Sequence, residues 1–357
     1  MRTSAPGPNA VSVALSLALG REVESPSEAD WRGAYAVARA ERLFSLAWLR
    51  SGEQIRRYAP PDLVATWRTA CVAASELADR QAAALRDIAR ESERGGEPPL
   101  VLKGLPLSER LYGERSARVS CDIDLFVPAA QRVHVHGVLT RIGWERWYDA
   151  APYDASYRLT RDGASLFLEV HSQLVGEALA HCALMAERAA AWSADGATVR
   201  RLDGPVVPVY LAANIAKHGT PSLLSYLDLA AAWAALSPSD RVAANDIAAR
   251  SRLGRCLQWA RSGAEALSAA ATGDAAALRA LGFEGERRAS VHAFLRLMWL
   301  ADHPGDAVRI LGAWAWPRSL RRTRDGIKTF WGRRLRRSFV GRFRYTREYT
   351  ADAALRR

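Results

Sequence analysis

The spacing of apolar residues changes twice along this chain. From residue 9 to residue 94 the spacing is helical, as in the run of Leu77, Ala78, Ala82, Leu85, Ile88 and Ala89. Glycine and proline pairs then interrupt the pattern at Gly95-Gly96 and Pro98-Pro99. These breaks predict that residues 1–95 form an N-terminal helical region.

Beyond this boundary, short strand-like runs alternate with helical ones. The pattern predicts helices at Leu105–Tyr112 and Ala129–Ile142, and strands at Leu100–Leu102, Ile123–Val127, Trp144–Tyr148, Tyr157–Thr160 and Leu166–His171. After residue 176 the alanine-rich helical spacing returns. We therefore predict an α+β fold, in which a small mixed β-sheet core over residues 96–176 is flanked by the N-terminal helices and by a C-terminal helical domain over residues 177–316.

The last segment, residues 317–357, is rich in arginine with interleaved aromatic residues. It is the main source of the net charge of +12. A cationic helix with an aromatic face can contact RNA phosphates or an acidic membrane surface. A solvated outer helix that packs its aromatic side chains against the preceding helices fits the spacing equally well.

Composition narrows the class of protein. With 357 residues, 49% of them hydrophobic, the chain is long enough for two or three packed cores. Its four cysteines form no Cys-x-x-Cys pair, so neither a zinc knuckle nor a disulfide framework is indicated, and we expect a reduced, cytoplasmic protein. The run Val11–Leu19 lacks a convincing cleavage site and should be the first core helix, and charges interrupt every other candidate for a transmembrane segment.

Asp122 and Asp124 are the first candidates for chemistry. Side chains two residues apart on a strand project from the same face, so these two carboxylates should converge. Two carboxylates on one face repel each other unless a cation such as Mg²⁺ lies between them. An edge strand with an exposed aspartate pair is the alternative.

Two further motifs surround this pair. Lys103-Gly104 ends a predicted strand just before a helix, where backbone N–H groups and the lysine could bind phosphate, although a plain turn has the same pattern. In the run from Leu166 to His171, strand alternation places Glu169 and His171 on one face, where they could join the aspartates or form a surface pair. Three carboxylates with two metal ions would suit in-line nucleotidyl transfer.

Taken together, these residues resemble a known family. The residues on which the resemblance rests are Lys103-Gly104, Tyr112, Arg118, Asp122-Ile123-Asp124 and Glu169-Val170-His171, together with His218 and Asp228 further along the chain. This order is similar to that of the nucleotidyltransferase-like family sometimes labelled uncharacterised nucleotidyltransferase, in the DNA polymerase β-type superfamily. The resemblance covers about residues 30–240.

The resemblance implies a role for each matching residue. Asp122 and Asp124 would bind the catalytic metals, Mg²⁺ or Mn²⁺, and Glu169 would be the third carboxylate. Lys103 and Gly104 would form the turn that binds the phosphates of an NTP such as ATP. Arg118 would lie close to the triphosphate, and His171 would line the acceptor side.

The chain also departs from the wider superfamily. Gly104-Leu105 replaces the usual Gly-Ser of the phosphate turn, so that Lys103 would have to replace the serine contact. Glu169 stands where relatives often carry aspartate, and its carboxylate would lie about one bond length further out. An inactive descendant that only binds a nucleotide is therefore an alternative.

The sequence thus predicts a metal-dependent nucleotidyltransferase that moves NMP from an NTP to a hydroxyl of a small-molecule, sugar or peptide acceptor and releases pyrophosphate. A tRNA-modifying or RNA-modifying enzyme that uses the basic C-terminal segment is the nearest alternative. His218 and Asp228 would contact the base or the acceptor, or else form a buried pair.

Overall fold

The computed structural model describes six stretches of the chain, which are residues 8–93, 98–151, 154–172, 189–217, 221–281 and 298–308. His218 and the arginine-rich segment 317–357 lie outside the described residues. Within the described stretches no helix has both the length and the apolar content that crossing a membrane requires.

The N-terminal region is helical, as predicted. Its helices are α1 Pro8–Leu19, α2 Glu28–Ala40, α3 Phe44–Tyr58 and α4 Pro61–Ser92. A capping box starts α2, because the Ser27 side chain accepts from the Asp30 backbone N–H while the Asp30 carboxylate accepts from the Ser27 backbone. Most of α1 is buried, which agrees with its predicted place as the first core helix.

A seven-stranded mixed sheet follows, which confirms the predicted α+β class. The strands are β1 Leu100–Val101, β2 Asp122–Phe126, β3 Glu145–Ala151, β4 Asp154–Arg161, β5 Ala164–His171, β6 Ala189–Ala194 and β7 Ala197–Leu202. Their order across the sheet is β3-β4-β5-β2-β1-β7-β6. The pairs β2/β5 and β1/β7 are parallel, and the other pairs are antiparallel. Helix α5 Leu105–Tyr112 follows β1, and α6 Arg132–Arg141 follows β2 after a short 3₁₀ turn.

The last hairpin of the sheet corrects the sequence-based prediction. Helical spacing was expected after residue 176, yet β6 and β7 are strands, and β7 pairs with β1. Because β6 is rich in alanine, its sequence shows no clear alternation of apolar and polar residues. In the structure, Trp192 of β6 and Val199 of β7 are both buried. Asp195-Gly196, both at positive φ, is the turn signal that could have revealed the hairpin.

Helices return after the hairpin. They are α7 Val206–Lys217, α8 Leu223–Ala234, α9 Pro238–Arg250, α10 Gly254–Ala271 and α11 Ala275–Ala280. They share one hydrophobic core with the N-terminal helices. The Ser12 and Ser16 hydroxyls of α1 donate to the Ala270 and Ala271 carbonyls of α10, each at 3.0 Å. The two helical regions therefore pack against each other although they lie at opposite ends of the described chain.

A second core lies between the sheet and the helices α4 and α6. Ile123 and Leu125 of β2 and Leu168 and Val170 of β5 point into it. Because side chains alternate along a strand, the polar residues between these four project from the other face of the sheet. Strand alternation thus separates the core from the polar face.

The approach of α10 to α8 depends on Gly263. A Cβ atom at this position would lie 2.5 Å from Cε1 of Tyr226, which belongs to α8. We expect Gly263→Ala to lower the free energy of unfolding by about 1–3 kcal/mol, because the buried ring must shift. The measurement is urea denaturation followed by circular dichroism.

Gly137→Ala, in α6, is the matched control. Its Cβ would meet only Nη1 of the flexible Arg141 side chain, at 3.3 Å. This variant should be unchanged or more stable by about 0.5–1 kcal/mol, since alanine favours a helix over glycine. Equal losses in the two variants would contradict the packing argument.

Candidate active site

Parallel pairing of β2 with β5 brings three polar side chains together. Asp124 lies opposite Glu169, and Phe126 lies opposite His171. Asp124, Glu169 and His171 each offer one atom that could bind a metal, and these three atoms lie within 4.8 Å of one another. Nε2 of His171 is 3.1 Å from Oδ1 of Asp124 and 3.5 Å from Oε2 of Glu169. We call these three residues the close group.

Lys103 completes the ionic contacts of the close group. It follows β1, and the adjacent Leu102 donates its backbone N–H to the Asp124 carbonyl at 3.0 Å. Nζ of Lys103 then lies 3.1 Å from Oδ2 of Asp124, and both side chains are largely buried. The Asp124 carboxylate is therefore held by a cation at one oxygen and by an imidazole at the other.

Burial and charge act in opposite directions on this pair. Burial favours the neutral form of Asp124, but the Lys103 ammonium and the hydrogen bond from His171 lower its pKa far below the usual range. Burial also disfavours a charged Lys103, yet the carboxylates of Asp124 and Asp122 outweigh this penalty and raise its pKa. Both partners are therefore charged.

Glu169 has the opposite environment. Burial, together with the negative charges of Asp122 and Asp124, raises its pKa. Its side chain is nevertheless 45% exposed, so it is the most accessible member of the close group. A partly accessible carboxylate that repels its neighbours is suited to accept a proton or a cation.

The structure places Asp122 beside the close group. Its carboxylate Oδ1 accepts from the Ser120 hydroxyl at 3.3 Å, and the same hydroxyl contacts its backbone carbonyl at 3.0 Å. Among the described residues, the group of ligand atoms within 4.8 Å contains Asp124, Glu169 and His171 but not Asp122. The charge of Asp122 still acts on Glu169 and Lys103.

The predicted phosphate turn has a backbone that favours glycine. Gly104 has a φ of +82° and is the residue before the first turn of α5, where its carbonyl accepts from the Ser108 backbone N–H. A residue with a side chain would be strained at this φ. The turn therefore fixes how Lys103 leaves β1.

Arg118 lies outside the close group, in a buried contact that the sequence did not predict. Its Nε–H donates to Oδ2 of Asp228 at 2.7 Å, and the Tyr112 hydroxyl donates to Oδ1 at 2.8 Å. Asp228 belongs to α8 and its partner is 110 residues away in the chain, so no local signal connects the two. The sequence motifs also did not indicate Tyr210 of α7. This tyrosine is buried, and burial together with the charge of Asp124 raises its pKa.

The close group fits a divalent cation by its chemistry. Two carboxylates and an imidazole are ligands that Mg²⁺ or Mn²⁺ accept, with oxygen ligands preferred. A cation would also relieve the repulsion that raises the pKa of Glu169. Since Lys103 neutralises Asp124 in this arrangement, a cation at Asp124 would compete with that lysine.

The Lys103–Asp124 pair can be tested by a double-mutant cycle. Asp124→Leu leaves a buried ammonium without its nearest carboxylate, and we expect a loss of about 3 kcal/mol in the free energy of unfolding. Lys103→Met should also destabilise the protein. The double variant should recover most of the loss, because an apolar pair replaces an ion pair of similar volume.

Urea denaturation of the four proteins measures this coupling. Losses that simply add in the double variant would show that Lys103 and Asp124 act independently, against the geometry. Arg68→Met, which removes an exposed positive charge from α4, is the control for a general effect of charge.

Comparison with known proteins identifies a family. The model of the family described as uncharacterised nucleotidyltransferase matches residues 27–268, more than half of the 357 residues. The match includes the whole described sheet, the helices from α2 to α9 and most of α10. No curated protein and no solved structure matches the chain.

Proposed function

Because the chain belongs to the uncharacterised nucleotidyltransferase family, we propose that it moves NMP from an NTP to a hydroxyl acceptor in a reaction that depends on Mg²⁺ or Mn²⁺. The observation that carries this proposal is the close group of Asp124, Glu169 and His171, with Lys103 in contact with Asp124. These groups combine cation ligands with a mobile positive charge, which is what transfer at a phosphate requires.

Asp124 and Glu169, with Asp122 beside them, would hold the metal. When bound, the metal would polarise the α-phosphate and lower the pKa of the attacking hydroxyl. His171 would orient the Asp124 carboxylate through its contact at 3.1 Å. Lys103, on its flexible stem, would move from Asp124 to a phosphate oxygen.

The transfer step can be written for this chain's own groups. The acceptor oxygen attacks the α-phosphorus, the bond from that phosphorus to the oxygen bridging to the β-phosphate breaks, and pyrophosphate leaves. The proton of the hydroxyl passes to Glu169, the most accessible carboxylate of the close group. Gly104, at the start of α5, would let backbone N–H groups approach the phosphates.

Lys103 is proposed to replace the missing serine of the phosphate turn. Leu105 follows Gly104, so the hydroxyl contact that the wider superfamily uses is absent from that position. A buried lysine beside the turn supplies charge where the serine would have supplied a hydrogen bond. We therefore propose that triphosphate affinity depends more on Lys103 than on the turn itself.

We expect Glu169→Gln to abolish transfer while preserving the fold, because it removes the proton acceptor and one metal ligand from a partly exposed position. The assay incubates purified protein with each of four α-³²P-labelled NTPs, Mg²⁺ and a cell extract, and measures label transferred to any acceptor. The loss should be at least about 100-fold, the usual range for a general base.

Glu145→Gln is the matched control for this assay. Glu145 lies on β3 of the same sheet and pairs with Arg158 at 3.0 Å, so its loss should leave transfer within twofold. EDTA should abolish labelling, and added Mg²⁺ or Mn²⁺ should restore it. If the wild-type protein labels nothing, or Glu169→Gln labels as well as wild type, the catalytic proposal is wrong and a nucleotide-binding scaffold becomes the better account.

We propose a small molecule, a sugar or a peptide as the acceptor, in the cytoplasm. RNA is the second candidate because of the arginine-rich segment 317–357, which lies outside the described residues. The same segment could bring the enzyme to an acidic membrane surface without a transmembrane helix.

Salt dependence separates the two classes of acceptor. With a small acceptor we expect labelling to change by less than about threefold between 50 and 200 mM KCl, whereas RNA held by six or more phosphate contacts would bind roughly a thousandfold more weakly. If label is transferred to tRNA and this labelling falls as the salt concentration rises, the RNA alternative is favoured. RNase treatment of the labelled product gives an independent check.

A further inference from the structure

Arg118, Asp228 and Tyr112 form a buried polar trio that the proposed reaction leaves unused. Asp228 accepts from Arg118 at 2.7 Å and from Tyr112 at 2.8 Å, and its side chain is 0% exposed. Asp228 lies on α8, Tyr112 ends α5, and Arg118 precedes β2. The trio therefore joins a C-terminal helix to the elements that carry Lys103 and Asp124.

Stability alone does not account for the trio. A buried ion pair contributes little net stability, because desolvation offsets the attraction, and an apolar pair of similar volume often serves as well. Burial raises the pKa of Asp228 even though Arg118 and Tyr112 both oppose that change. The desolvation of this carboxylate is therefore only partly compensated, which favours a role other than stability.

The trio restricts Arg118 at both ends. Its backbone N–H donates to the Ser108 hydroxyl at 2.9 Å, and its Nε–H donates to Asp228. Among the described residues, the side-chain hydrogen bond of Arg118 comes from Nε–H, which leaves the four N–H groups on Nη1 and Nη2 for another acceptor. The charge of Asp124 acts on Arg118, and Arg118 in turn acts on Lys103, so this guanidinium lies within electrostatic range of the close group.

We propose that Asp228 and Tyr112 are positioning residues that hold the Arg118 guanidinium in place to bind the triphosphate of the NTP. This inference rests on the proposed function and assigns the C-terminal helix α8 a part in nucleotide binding. A planar guanidinium binds phosphate oxygens at two points only if its orientation is fixed. Two hydrogen bonds to the same carboxylate, one of them from Tyr112, fix that orientation.

Direct binding of the nucleotide tests the inference. Isothermal titration calorimetry with ATP, GTP, CTP and UTP in Mg²⁺ would identify the NTP that the wild-type protein binds. Arg118→Met/Asp228→Leu should fold with an unchanged circular-dichroism spectrum and bind that NTP about 30-fold more weakly, as expected for losing a hydrogen-bonded charge. Tyr112→Phe removes only the hydroxyl and should weaken binding by about 3–10-fold.

Asp228→Asn tests the positioning role by partial rescue. Asparagine keeps one acceptor oxygen for Arg118 or Tyr112, so its affinity for the NTP should lie between those of the wild type and the double variant. A purely structural role would instead lower the melting temperature of all these variants and leave the affinity of the folded protein unchanged.

Arg110→Met/Asp203→Leu is the matched control. These residues form another arginine–aspartate contact, at 2.6 Å, outside the close group and outside the trio. The control should bind the NTP within twofold of wild type. An equal loss in the control, or wild-type affinity in the double variant and in Tyr112→Phe, would overturn the inference.

The two proposals fail in different ways. If Glu169→Gln abolishes transfer while the trio variants bind the NTP normally, only the positioning role is wrong. If the wild-type protein binds none of the four NTPs, the proposed function and the inference are both wrong.

Discussion

Parallel pairing between β2 and β5 decides which side chains meet in this protein. Its register sets Asp124 level with Glu169 and, on the opposite face, Ile123 level with Leu168. A slip of one residue would move the carboxylates into the core and the apolar side chains to the polar face. The cost of exposing that core therefore holds the candidate site in register, so packing on one face fixes the geometry on the other.

Buried charges around β2 are balanced by contacts from several elements. Lys103 reaches Asp124 from the end of β1, and Arg118 reaches Asp228 on α8. A low-dielectric interior makes both contacts strong and makes a lost partner costly. Under the proposed function, a triphosphate would compete with Asp124 for Lys103, whereas Arg118 would bind it while still held by Asp228. Substrate binding would then depend on how firmly each carboxylate holds its partner.

Local patterns predicted much of the sheet and of the candidate site. Alternation in Leu166–His171 placed Glu169 and His171 on one face, and the structure brings both next to Asp124. The same method missed β6, because alanine fits helix and strand alike and gives no alternation to detect. Asp122, which alternation placed on the same face as Asp124, lies beside the close group with Ser120, and its charge acts on Glu169 and Lys103.

The sequence by itself determined the family, the α+β class and the charged face of β2 and of β5, because these follow from motifs and from spacing over a few residues. Only the tertiary structure decided that β2 lies between β5 and β1, that Lys103 contacts Asp124, and that Arg118 pairs with Asp228. Strand order and helix packing depend on burying apolar surface between residues far apart in the chain. The spacing of residues within one segment does not indicate which distant segments it contacts.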